Sequence, residues 1–145
     1  MTNLMRTLDS RLDPHAPAIL SLFRAILGLL FLSHAVSHIF GWLAGPAAAV
    51  GQWPLFYAGC IELVTGLLIT VGLFTRIAAF VASGTMAFGY FTEHLQNGIV
   101  PMTNGGELAV VFCFAFFLLV FTGGGAYAFD ARLRRTPQPA GGSAA

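Results

Sequence analysis

Four long apolar stretches dominate the chain, and the polar positions between them fall where helices would turn. The stretches cover residues 18–44, 54–74, 77–95 and 107–129, each near the ~20 residues a helix needs to cross a hydrocarbon core. The breaks carry turn chemistry: Gly45-Pro46 closes the first stretch and Pro54 suits the first turn of the second. Thr75-Arg76 makes a tight link, and Asn97-Gly98 with Pro101 occupies the third loop. The pattern predicts an all-α protein, an integral membrane four-helix bundle over residues 18–131. Ahead of it, within a cytoplasmic segment 1–17, Leu4, Met5, Leu8 and Leu12 share one helical stripe. That fits either a short interfacial helix or an ordinary disordered terminus. Residues 132–145, rich in Pro, Gly, Ala and Ser, are expected to form a disordered cytoplasmic tail.

Composition agrees with a membrane protein. Hydrophobic residues make up 57% of the chain and charged residues 9%, against about 25% charged in soluble domains, and the mean hydropathy is +0.78. A net charge of +1 without a basic patch excludes nucleic acid as a partner. Every basic residue is arginine, and their placement orients the chain. Arg6 and Arg11 precede the first span, Arg76 lies between the second and third, and Arg132, Arg134 and Arg135 follow the fourth. The other two loops have none, so both termini are expected on the cytoplasmic side. The apolar run before Ala47-Ala48-Ala49 is far longer than the h-region of a signal peptide, so the first span is expected to be retained.

Against this background the informative residues are the polar ones inside or at the ends of apolar stretches: Arg24, His34, His38, Glu62, Glu93, His94 and Glu107. Charges facing lipid are costly, so such residues normally face a bundle interior. At 1.5 Å per residue, Arg24 and Glu62 are separated by an axial gap of about 9 Å, which an arginine side chain nearly closes. A buried Arg24–Glu62 ion pair joining the first two spans is expected, with or without a ligand on it. The small residues Gly28, Gly59 and Gly66 on the same faces allow close helix approach. Toward the outer side, His34 and His38, one turn apart, form a layer with Glu62, Glu93, His94 and Glu107. Such a layer can bind a metal, relay protons or hydrogen-bond a quinone head group. Each member also has a plainer role available. His34 can bond a backbone carbonyl, Glu93 and His94 can be wetted residues at an interface, and Asn104 with Glu107 matches a helix-start capping box.

Dedicated catalytic signatures are absent. Cys60 and Cys113 are isolated, with no Cys-x-x-Cys; two buried thiols are expected, with a disulfide as the alternative. His34 and His38 lack the intervening Glu of a zinc-protease motif, and Gly123-Gly124-Gly125 has no Lys or Ser/Thr of a phosphate loop. Phe112, Phe114, Phe116, Phe117 and Phe121 suit core and lipid contacts, or else an apolar tunnel for a prenyl tail.

Over residues 22–132 the chain resembles the DoxX family of small four-helix bacterial membrane proteins. The resemblance rests on Arg24-x-x-x-Gly28-Leu-Leu-Phe31-Leu and on Glu62-x-x-x-Gly66-Leu-Leu-x-x-x-Gly72-Leu-x-Thr75-Arg76. His94, Asn104-Gly-Gly-Glu107, Gly123-x-Gly125 and Asp130 follow in order. The family commonly has Gly and Lys after the first helix's His, where this chain reads His34-Ala-Val-Ser-His38. The resemblance implies a subunit or partner of membrane oxidoreductase systems, including quinone-linked thiosulfate oxidation and assemblies with sulfurtransferase and superoxide dismutase. Arg24, Glu62, Arg76, Asn104 and Glu107 match family positions. The expected function is thus a quinone-interacting or electron-transfer-associated subunit in the bacterial cytoplasmic membrane. In it the histidines would meet the head group and Arg24 and Glu62 would fix the bundle. The rivals are a non-catalytic anchor for a partner protein and a metal- or solute-handling protein using His34, His38 and His94. Gly41-x-x-x-Gly45 offers a contact for a second copy of the chain.

Overall fold

The computed structural model describes residues 2–43 and 45–135; the tail beyond residue 135 lies outside the described residues. The described residues are helical, without strands. Helix α1 (Thr2–Leu12) passes through a single turn at Asp13–His15, built on Pro14, into α2 (Ala16–Phe40). Then come α3 (Leu55–Val71) and α4 (Thr75–Gly89), which continues through a wider π-type turn at Tyr90–His94 and a tight turn at Leu95–Asn97. Short α5 (Pro101–Asn104), α6 (Glu107–Thr122) and α7 (Phe129–Arg135) complete the chain. Helix α2 lies chiefly along α3 and α4 along α6, with α3 also against α4.

Glycine decides how α2 and α3 meet. Gly28 stands against the backbone of Thr70, Gly66 against Leu32, and Gly59 against His38 and Ile39. A Cβ on any of the three would meet atoms at 3.0 Å or closer. These contacts fix an antiparallel register. At the α4–α6 contact the small residues Ala78, Ala79, Ala82 and Ser83 are buried, and Ser83 Oγ donates to the Cys113 carbonyl at 2.9 Å. The centre is filled by Phe31, whose ring sits 4.7 Å from Phe116 and 5.7 Å from Phe112, together with Ile69 and Leu119. Phe112 and Phe116 are core, whereas Phe114, Phe117 and Phe121 face outward.

The helices end earlier than the apolar stretches do. Helix α2 stops at Gly41, α3 at Gly72 and α6 at Gly123, each a glycine with positive φ whose N–H returns to the last turn. Apolar character continues past these glycines, so hydropathy overruns the helix ends. One helical run, Leu4–Phe40, is long and apolar enough to cross a membrane; Leu55–Val71 and Glu107–Thr122 are shorter apolar helices. Large apolar side chains on α2, α3, α4 and α6 point outward, among them Leu29, Val64, Leu67, Phe80, Phe114 and Phe121.

Candidate functional site

Charged side chains at one end of the molecule tie helix termini together. The Arg24 guanidinium is buried; its Nη1 donates to the Ile69 carbonyl and, at 2.6 Å, to that of Thr70, while Nε donates to the Gly124 carbonyl at 2.9 Å. Ile69 and Thr70 form the last turn of α3, where carbonyls lack intrahelical partners and a cation is favoured. Arg76 does the same for α6, donating from Nη1 to Val120 at 2.7 Å. Asp130 accepts from the N–H groups of Phe74 and Thr75, both at 2.8 Å, and so caps the start of α4. It also holds Phe74 in its left-handed conformation (φ 49°).

The expected Arg24–Glu62 ion pair does not form. The glycine register sets Arg24 level with Phe74 and Glu62 level with Val36, twelve residues of α2 apart, or about 18 Å at 1.5 Å per residue. That is twice the gap inferred from stretch limits, because the first turns of α2 run past the C-terminal end of α3 and leave Arg24 level with the turn that follows it. Glu62 instead pairs with His38, whose Nδ1 lies 2.8 Å from Oε2. The carboxylate is 2% exposed and the imidazole 27%.

This pair lies in the wall of a cavity of about 900 Å³ lined by residues of α2, α3, α4 and α6 and of the loop before α3. His34 lines it and turns its ring edge-on to Phe112, 5.6 Å away, and 6.3 Å from His38. The π-type turn brings Glu93 and His94 into the same wall; such turns are frequent at functional sites. His94 Nδ1 donates to the Asn104 carbonyl at 3.3 Å and its ring stacks on Tyr90. Five of the six candidate ligand residues therefore gather at one cavity, and Glu107, exposed at the start of α6, does not line it. Among the described residues, no three His, Cys, Asp or Glu side chains come together as a metal-binding group. Cys60 and Cys113 are free thiols.

Asn104 is not the cap of α6, which begins after Gly106 without a side-chain cap. Asn104 is buried and knits the preceding loop: its Nδ2 donates to the Gly98 carbonyl at 2.6 Å and to the Tyr90 hydroxyl at 3.3 Å. Its Oδ1 accepts from Gly106 N–H at 2.8 Å. The tight Gly105-Gly106 approach explains the motif, since a Cβ on Gly106 would strike Tyr90 and His94. Sequence reasoning did not single out Trp53, Tyr57, Gly84 or Gly89 as cavity residues. Gly84 and Gly89 are the only hints available, being glycines inside an apolar helix.

The DoxX family profile matches residues 19–95. A protein of Haemophilus influenzae, itself uncharacterized, is 37% identical over 127 residues, covering 83% of this chain and 95% of its own. No solved structure matches the chain. The matched span takes in Arg24, the glycine register of α2 and α3, the His38–Glu62 pair and His94. The chain belongs to the DoxX family of membrane proteins.

Proposed function

We propose that the protein is a four-span membrane subunit that binds the head group of a quinone beside His38 and exchanges protons with it, within a larger oxidoreductase system. The observation that carries this reading is the His38–Glu62 pair in the wall of a largely apolar cavity. Binding sites for small molecules have this character, an apolar lining with a few placed polar groups. With Nδ1 engaged by the carboxylate, Nε2 is the nitrogen left for a ligand, and Glu62 fixes the orientation of the ring. A quinone supplies ring carbonyls as acceptors and takes up protons as electrons reach it from a partner; His34 and His94 are the other proton-exchanging groups at hand.

The membrane placement is supported by the outward apolar side chains on all four long helices, which exceed what a soluble monomer carries. Trp42 and Trp53 are exposed beyond the outer helix ends, as interfacial aromatics are. Helices of 16 and 17 residues fall just below and at the lower limit of the crossing range, about 17–25 residues. With the arginines as placed, both termini face the cytoplasm of a bacterial inner membrane.

The test is a native mass spectrum of the protein released gently from its membrane, compared with His34→Ala/His38→Ala. A quinone-sized mass on the wild type that the double variant lacks is the expected result. A bare wild-type chain, or a quinone mass indifferent to both histidines, overturns the proposal. A second reading, a non-catalytic anchor for a partner protein, is favoured by one observation. The family-matching Arg24, Arg76 and Asp130 hold helix ends and do not line this cavity. Retention of a protein partner by the histidine variant, with no small-molecule mass in either sample, would favour it.

A further inference from the structure

The cavity is not walled equally on all sides. Its back is formed by His34 and His38 of α2 and by Leu108 and Phe112 of α6. Its front is the line where α3 meets α4, and there the lining residues are themselves exposed at the molecular surface. Tyr57 and Ile61 on α3 face Val81, Gly84 and Phe88 on α4, each at one-turn spacing along its helix. A Cβ built on Gly84 would meet nothing within 4 Å, and the same holds for Gly89. These glycines differ from Gly28, Gly59 and Gly66, which disappear beneath a neighbouring helix. Helices α3 and α4 are joined at their inner ends by the short turn over residues 72–74, which Asp130 clasps by accepting from Thr75 N–H and donating its own N–H to the Gly72 carbonyl. At 1.5 Å per residue, Gly84 lies about 14 Å along α4 from Thr75, and Ile61 about 15 Å from the inner end of α3. Both therefore sit close to the midplane of a hydrocarbon core about 30 Å thick.

From this we infer that the slot between α3 and α4 is the ligand's door. The head group enters from within the bilayer, and an apolar tail attached to it lies out through the slot across Gly84. The inference rests on the reading that the cavity takes a quinone head group, and it narrows the ligand to a tailed, membrane-dissolved quinone. The occupant follows from continuity: the slot leads from the His38–Glu62 pair directly to the lipid-facing surface, with apolar side chains on both lips. An aqueous solute would have to cross that surface, whereas a chain-bearing molecule dissolved in the bilayer is already there. Trp53, its ring centroid 5.9 Å from that of Phe88 and 5.8 Å from that of Tyr57, bridges the two lips at the outer end of the slot.

The experiment uses the full chain in lipid nanodiscs and two probes with one ring: a benzoquinone bearing a methyl group and the same ring bearing a decyl chain. Binding is read as quenching of Trp53, with Trp42→Phe as background. Gly84→Leu places a side chain in the slot from α4, whereas the head group's partners His38 and Glu62 stand on α2 and α3. The variant is expected to weaken the decyl quinone about tenfold, while the methyl quinone keeps its affinity to within about twofold. Comparing variants cancels the ordinary partition of the tail into lipid. Equal weakening of both probes, or of neither, overturns the slot while leaving the head-group reading in place. So does wild-type protein that binds the methyl ring alone. Wild-type protein that binds neither probe overturns the head-group reading and the slot with it. Should Gly84→Leu fail to fold, a decyl quinone ending in a diazirine is photolysed on wild-type protein. Label on the Tyr57–Ile61 and Val81–Phe88 stretches supports the slot, and label confined to the outer faces of α2 or α6 overturns it.

Discussion

The buried carboxylate of Glu62 is the residue on which the candidate site turns. Among the described residues it pairs with one ionisable side chain, His38, at 2.8 Å, and removing that partner leaves a buried acceptor without its donor. His38→Ala is expected to destabilise the protein by about 1–3 kcal/mol, because an unsatisfied buried group keeps its full desolvation cost. Replacing both partners, in His38→Ala/Glu62→Leu, should recover most of that loss, since neither polar group is then stranded. Thermal unfolding in detergent, followed by helical circular dichroism, measures both. A double variant no more stable than His38→Ala would mean that the pair is not the unit it looks to be. The same comparison separates stability from ligand binding, for the double variant should stay folded and carry no quinone. Arg24 belongs to a different task. Its donors are committed to three carbonyls at the opposite end of the α2–α3 contact, so it holds the frame in which the pair sits.

At the level of elements, glycines divide into those that let helices touch and those that leave space. Gly28→Ala brings a methyl group against the Thr70 backbone, and Gly66→Ala brings one against Leu32. Backbone cannot yield as a side-chain end can, so Gly28→Ala is expected to cost about 1–3 kcal/mol and Gly66→Ala less. Gly84→Ala has open space before it and an ordinary helical backbone. It should be neutral or stabilising by up to about 1 kcal/mol from helix propensity. Melting temperatures ordered Gly84→Ala, Gly66→Ala, Gly28→Ala from highest to lowest would agree; a damaging Gly84→Ala would place another helix over the slot. The register that these contacts impose also explains the missing Arg24–Glu62 pair. Depths counted from the ends of apolar stretches assume that those ends lie level, and α2 begins more than two turns before the level at which α3 ends.

For the whole molecule, the proposed membrane arrangement makes a topological prediction. An even number of crossings puts both termini on one side, and the arginines put that side in the cytoplasm. With Cys60 and Cys113 replaced by alanine, single cysteines at Gln52 and Asn97 should react with an impermeant maleimide added to intact cells. Cysteines at Thr7 and Arg132 should react only after permeabilisation. Labelling of Thr7 from outside would reverse the orientation and move the candidate cavity to the cytoplasmic half. The three inner ties, Arg24 to α3, Arg76 to α6 and Asp130 to α4, lie together at the inner end, and the cavity lies toward the other end. Such a division lets one end stay rigid while the other admits a ligand.

Hydrophobic patterning by itself determined the all-α class, the positions of the four long helices to within a turn or so at most ends, and the residues worth watching. Those properties are local, because burial in an apolar stretch is costly for a charge wherever the helix packs. The histidine–carboxylate layer was legible for the same reason: five of its six members line one cavity, though only His38 and Glu62 pair. Which carboxylate pairs with which cation was decided only in the folded molecule. Pairing depends on the axial register of α2 against α3, and that register is set by Gly28, Gly59 and Gly66 meeting particular backbone atoms across the interface. The cavity mouth at Gly84 is likewise a tertiary fact, since a glycine reads the same in sequence whether a neighbour covers it or not. Asn104 followed this rule as well: the spacing matched a cap, but the turn at Gly105-Gly106 directed its side chain to the loop instead. Sequence carries the chemistry of each side chain; only packing assigns the distances between them.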